Sequence, residues 1–235
     1  MLNSLISLIK LIIKALSEKD PPFLEVFTDY EEYHQISHVS PLAILRAKLI
    51  SEWIEPKSTI LDVGCGEGFI MEYLHRTKSC ECFGIDISHK AIEKVRSKGF
   101  NAVVRDVDLK GLGLSENEIY DYILFVEVLE HLKYPHKVLL QACRHIRKGV
   151  IVTIPNTGFI KWRLQLLRGY FPRQSFTHLH FWTIRDFELF LKSLGLRPIA
   201  LKTELDLLQG IKRKIANRFR NLLAYQQCWL IAPYK

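Results

Sequence analysis

The segment Ile60-Leu61-Asp62-Val63-Gly64-Cys65-Gly66-Glu67-Gly68-Phe69 constrains this chain more than any other. An apolar run passes into three alternating glycines and then into a helical pattern, which is the order strand, tight turn, helix. Glycine lets the backbone take positive φ and lets a ligand approach the main chain. From Pro56 onward, short apolar runs alternate with amphipathic stretches. Strands are expected at residues 59–63, 82–87, 102–105, 120–126, 150–154, 198–202 and 228–232, with helices at 69–76, 90–98 and 136–146. Strands separated by helices of roughly ten residues imply parallel pairing through right-handed crossovers. The fold class is therefore α/β, a doubly wound sheet of seven strands. Such a sheet is covered on both faces and takes its ligand beyond the carboxyl ends of its strands. At 235 residues the chain has room for one such domain with additions.

The carboxylates beside the glycines narrow the ligand. A pyrophosphate on this turn would meet Asp62 and Glu67, two like charges, and no lysine follows to cradle phosphate. A sulfonium with an amino-acid ammonium suits those charges better. Asp86 ends the second strand 24 residues after Asp62, close to the spacing at which an acidic residue meets ribose hydroxyls. Asp106 ends the third, where an adenine edge would be held. Singly, each is also the residue a turn or helix cap selects. Three at successive strand ends, beside this loop, favour a cofactor.

Leu61–Gly68, Gly84–Asp86 and Arg105–Val107 together resemble class I S-adenosylmethionine-dependent methyltransferases, whose sheet is Rossmann-like. Tyr120-Asp121-Tyr122-Ile123 and Val128-Leu129-Glu130-His131-Leu132 resemble that family's fourth strand and following turn. Residues 44–235 resemble more narrowly the MetW proteins of methionine biosynthesis. The segments that carry this are Ile50–Pro56, Pro155–Phe159, Trp162–Gly169, His180–Phe187 and Asn221–Ala224. The resemblance implies S-adenosyl-L-methionine as cofactor, its methionine part surrounded by Asp62, Gly64, Cys65 and Gly66. It places the ribose on Asp86 beside Ile87 and the adenine between Asp106 and Val107, with Phe125 and Glu127 near the transfer point. Where MetW proteins carry an uncharged, Gln-containing turn after the fourth strand, this chain has Glu127-Val128-Leu129-Glu130-His131, the version usual in active small-molecule and lipid methyltransferases.

Methyl transfer asks the protein mainly to hold the acceptor in line and exclude water, and an oxygen or nitrogen acceptor also needs a base. Candidate bases are Glu127, Glu130, His131, His178 and His180. His178 and His180 lie in an insertion, residues 157–183, expected to form a lid on the acceptor side. No metal is expected: Cys80-x-Cys82 has no second pair, and His178-x-His180 has no evident third ligand. The five scattered cysteines suit reduced thiols in a cytoplasmic protein.

Charge is unevenly spread. Residues 144–235 carry 17 Lys/Arg against four Asp/Glu, whereas residues 1–143 carry 16 against 21. A basic half of this kind steers anionic partners toward the protein or forms a solvated surface. Lys212, Arg213, Lys214, Arg218 and Arg220 fall on helical spacing suited to acidic lipid headgroups. In residues 1–17, Asn3, Ser7, Lys10, Lys14 and Ser17 form one narrow polar stripe on an otherwise apolar helix. Two lysines interrupt the roughly 20 apolar residues that a spanning helix needs, and the first charge comes too late for a secretory signal. The expectation is a helix over 1–20 that lies on a membrane surface or covers a protein groove, its own domain included. Asp20-Pro21-Pro22 ends it, a helical lead-in fills 21–56, and the cofactor-binding domain occupies 57–235.

Two functions fit these residues. One is a methyltransferase for a small-molecule or lipid-linked acceptor, peripheral at an anionic membrane. The other is a MetW-like partner that regulates a homoserine acyltransferase. Nucleic acid is disfavoured, because neither a binding module nor an aromatic stacking platform is visible.

Overall fold

The structure, a computed structural model, describes residues 40–171, 175 and 177–234. The expected helix at 1–20 and most of the lead-in lie outside them. The first described helix, α1 (Pro41–Ser51), begins where Ser40 accepts from the Ala43 amide and Pro41 takes the first turn, a position that needs no amide hydrogen. Five strands follow, each running into a helical segment: β1 (Thr59–Val63), α2 (Phe69–Lys78), β2 (Glu81–Asp86), α3 (His89–Ser97), β3 (Asn101–Val104), α4 (Val107–Lys110), β4 (Tyr120–Val126), a single 3₁₀ turn at Leu129–His131, α5 (Pro135–Ala142), β5 (Ile146–Pro155) and α6 (Ile160–Leu167). The last stretch contributes α7 (Ile184–Ser193), β6 (Leu196–Lys202), a 3₁₀ turn at Glu204–Leu207, α8 (Gly210–Arg218), α9 (Arg220–Leu223) and β7 (Gln226–Pro233).

One sheet of seven strands results, in the order β3-β2-β1-β4-β5-β7-β6. Pairings from β3 through β5 are parallel, as the alternating pattern predicts. β7 departs from the parallel reading. It lies antiparallel between β5 and β6, because the short helices α8 and α9 return the chain to the same end of the sheet. The sheet reverses direction of travel at β1, with β2 and β3 on one side and β4 on the other, and a crevice opens at the carboxyl ends there.

Side chains alternate between two cores, as a strand's two-residue period requires. Leu61, Val63, Ile123, Phe125, Val150 and Val152 pack toward α5 and α7. Ile60, Tyr122, Leu124 and Ile151 pack toward α1, α2 and α3. The expected helix at 136–146 ends sooner, at Ala142, since Ile146 already starts β5 and pairs with Tyr120.

Candidate functional site

The glycine turn sits at the carboxyl end of β1. Gly64, Gly66 and Gly68 all have positive φ, at 73°, 51° and 79°. At Gly64 the requirement is double, because a β-carbon there would stand 2.3 Å from a Val128 methyl. Asp86 holds the turn from the neighbouring strand: its carboxylate accepts from the Gly66 amide at 2.8 Å and the Ser88 amide at 2.9 Å. Each oxygen keeps a further lone pair for a hydroxyl.

Asp62 is the anomaly. It is 1% exposed, and neither carboxylate oxygen has a hydrogen-bond partner. Burial, with a smaller contribution from the charge on Asp86, pushes its pKa up to about 8. A buried carboxyl without a donor is costly, and ordinarily signals a missing ligand or water. Cys65 is buried beside it with its thiol pushed up by the same burial. Around the crevice, Ile87 is exposed and Val107 buried, and Asp106 caps α4 by accepting from the Asp108 and Leu109 amides at 3.0 and 3.1 Å. Asp106 thus performs the capping role that its residue type alone suggested, with its other oxygen left over. The Phe125 side chain is wholly buried in the core toward α5 and α7.

Across the crevice, Glu127 ends β4 in left-handed backbone, φ 59°. Its carboxylate accepts from Arg46 of α1 at 2.9 Å, from the Thr153 hydroxyl of β5 at 3.1 Å and from the Gln226 amide of β7 at 3.4 Å. Arg46 also donates to Gln226 at 3.2 Å. Burial pushes the Glu127 carboxyl upward against the pull of Arg46. Glu130, on the following turn, is 1% exposed with both oxygens unpartnered, and burial beside Glu127 raises its pKa well above the carboxylate range.

The donor set fits S-adenosylmethionine. A cationic amino acid suits the orphaned Asp62, a ribose suits Asp86, and the main chain at Gly64–Gly66 leaves room for close approach. A family model described as "Methionine biosynthesis protein MetW" matches residues 46–231. The chain belongs to the MetW family. The ubiquinone biosynthesis O-methyltransferase (mitochondrial) of Candida albicans is 30% identical over 119 residues, covering 47% of this chain and 36% of that protein. The ubiquinone biosynthesis O-methyltransferase of Nitrosomonas europaea is 28% identical over 144 residues, covering 55% of this chain and 60% of its own. The match thus spans less than two thirds of either relative. A SAM-dependent methyltransferase from Archaeoglobus fulgidus has a TM-score of 0.60 at 21% identity, covering 88% of this chain and 100% of its own. The fold is that of class I S-adenosylmethionine-dependent methyltransferases.

Within this MetW-family chain His178 and His180 are used differently. His180 stacks on Trp182 with ring centroids 4.9 Å apart, and its Nε2 donates to the Leu132 carbonyl at 2.9 Å. His178 meets His131 edge to face at 4.6 Å, and burial, reinforced by His131, lowers its pKa to about 4. The His178-x-His180 pair was expected to have no third ligand; the structure separates the pair and sets His178 beside Glu130 and His131, their ligand atoms within 4.8 Å of one another. Sequence reasoning missed Arg46, Thr153 and Gln226 altogether. Arg46 lies 81 residues before Glu127 and Gln226 lies 99 after it, and no local pattern links such positions. That reasoning named Phe159 and Trp162 only within family-like segments and gave no site role to them or to Tyr225; Trp162 and Tyr225 pack at 6.0 Å with Phe159 against the same tyrosine, the Trp162 indole N–H buried without a partner.

Proposed function

We propose that the protein transfers a methyl group from S-adenosylmethionine to an oxygen of a small-molecule or lipid-linked acceptor. The unpartnered, buried Asp62 beside the Asp86-braced glycine turn carries this reading. When bound, the cofactor supplies an activated methyl on a good leaving group. Asp62 would hold its ammonium, Asp86 its ribose, and Asp106 and Val107 its adenine. Glu127, held by Arg46 and Thr153 just after β4 at the carboxyl end of the sheet, would face the acceptor. Phe159, Trp162 and Tyr225 offer aromatic walls and an unpaired indole donor to a ring-bearing acceptor.

The names of the two ubiquinone relatives support a lipid-linked quinol precursor as acceptor class. A membrane-surface position is supported by α8, whose Ile211 and Ile215 are exposed beside Lys212 and Lys214, with exposed Phe219 capping its end. No described helix is long and apolar enough to cross a membrane.

The family model supports a second reading, a regulatory partner of a homoserine acyltransferase. Labelled S-adenosylmethionine incubated with the protein and a lipid extract separates the two. Label in a hydroxylated aromatic lipid, reduced at least tenfold by Glu127→Gln with S-adenosylhomocysteine affinity retained, is the expected result. Absence of label from every extract component, with retention of the acyltransferase on the immobilised protein, would overturn it.

A further inference from the structure

Glu130, His131 and His178 converge on one point, and their ligand atoms all lie within 4.8 Å of one another. They come from two separate segments, the 3₁₀ turn after β4 and the stretch before α7. Backbone hydrogen bonds join these segments. The amides of Leu179 and His180 both donate to the Glu130 carbonyl, at 2.7 and 3.2 Å, and the His180 ring donates to the carbonyl of Leu132.

Each member is prepared for a cation. The Glu130 carboxylate is buried, and neither of its oxygens has a hydrogen-bond partner. His131 turns Nδ1 to the Thr177 carbonyl at 3.3 Å, which favours the Nδ1–H tautomer and places the ring's lone pair on Nε2. A backbone acceptor behind a ligating imidazole is the usual supporting contact in metal sites. The neighbouring Glu127 is committed to Arg46 at 2.9 Å, so it balances that guanidinium and does not compete for the point. The edge-to-face packing of His131 and His178 sets two imidazoles side by side around it.

We propose that Glu130, His131 and His178 bind one divalent first-row cation. Two imidazoles and one carboxylate are a set that Zn²⁺ and its neighbours accept while keeping a position open for an oxygen ligand. A cation at about 2.1 Å from each ligand spaces tetrahedral ligands roughly 3.4 Å apart, so side-chain rotation of about 1 Å closes the site. Use of the open position to hold an acceptor oxygen rests on the proposed methyl transfer, but binding of the ion does not.

Chelator-treated full-length protein titrated with Zn²⁺ alone, and separately with Mn²⁺ followed by electron paramagnetic resonance, tests this. The expected result is one ion per chain, and a rise in melting temperature on adding Zn²⁺. Glu130→Gln and His178→Ala should each weaken binding by at least roughly tenfold. His180→Ala, which touches the loop but not the ion, should weaken it less. S-adenosylhomocysteine affinity, measured on the same samples, reports that each variant is folded and keeps the cofactor reading separate. No stoichiometric binding of either ion, or binding that both ligand substitutions leave unchanged, would overturn the proposal.

Discussion

Both oxygens of Asp62 are buried without a donor, so the ligand-free protein holds this carboxyl protonated to about pH 8. A folded-state pKa raised above the unfolded value favours folding fully below the unfolded pKa, near 4, and that contribution is lost as pH rises through about 8. Asp62→Asn keeps the shape and removes the titration. Its ligand-free melting temperature should match the wild type near pH 4 and exceed it by a margin that widens up to about pH 8, read by melts across that range. The same substitution should weaken S-adenosylhomocysteine by roughly tenfold or more, because a charged partner of the ligand ammonium is gone. Cofactor binding by the wild type near neutral pH should release protons, measured calorimetrically in buffers of different ionisation enthalpy. Gly64→Ala adds a methyl that meets Val128 in a left-handed backbone. A loss on the order of 2–3 kcal/mol in urea unfolding is expected, with the cofactor affinity falling in parallel.

At the scale of elements, α1 matters as much as the glycine loop, because it delivers Arg46 to Glu127. Arg46→Met leaves a mostly buried carboxylate without its cation and should cost about 2 kcal/mol of stability. Adding Glu127→Gln should recover part of that loss, and a double-mutant cycle in urea measures the coupling. This dependence of β4 on a distant helix explains what could be read from the sequence. β1 and β4 fall where their apolar runs predict, and the structure brings the turn glycines together with Asp62 and Asp86 at the ends of β1 and β2. The reversed β7 was not legible, since a buried strand reads the same in either direction. The end of α5 was misplaced because Cys143 and Ile146 continue an apolar helical rhythm across a turn. Glu130 was visible as a candidate base. Its meeting with His178 was not, since the two are 48 positions apart and only the folded loop joins them.

On the scale of the whole molecule, the basic residues of the second half include Lys212 and Lys214 of α8, beside exposed Ile211 and Ile215 and the capping Phe219. The full chain should co-sediment with vesicles containing anionic lipid, and less at high salt, because screening shortens the reach of headgroup charge. Replacing Lys212 and Lys214 with Ala should lower partitioning by about thirtyfold, at roughly 1 kcal/mol for each charge near the surface. Partitioning unchanged by these substitutions would move the membrane contact away from α8. The position of β7 has a further effect, on how the protein is made. A ribosome releases β6 before β7, yet β6 reaches the sheet only through β7. Until β7 slots in, the nascent chain exposes the edge of β5 and leaves β6 unpaired, a state prone to strand pairing between neighbouring chains. Gln226, at the start of β7, then braces Arg46 against Glu127. The Arg46–Glu127 pair is thus completed last, by a strand 180 residues downstream of the arginine that it steadies.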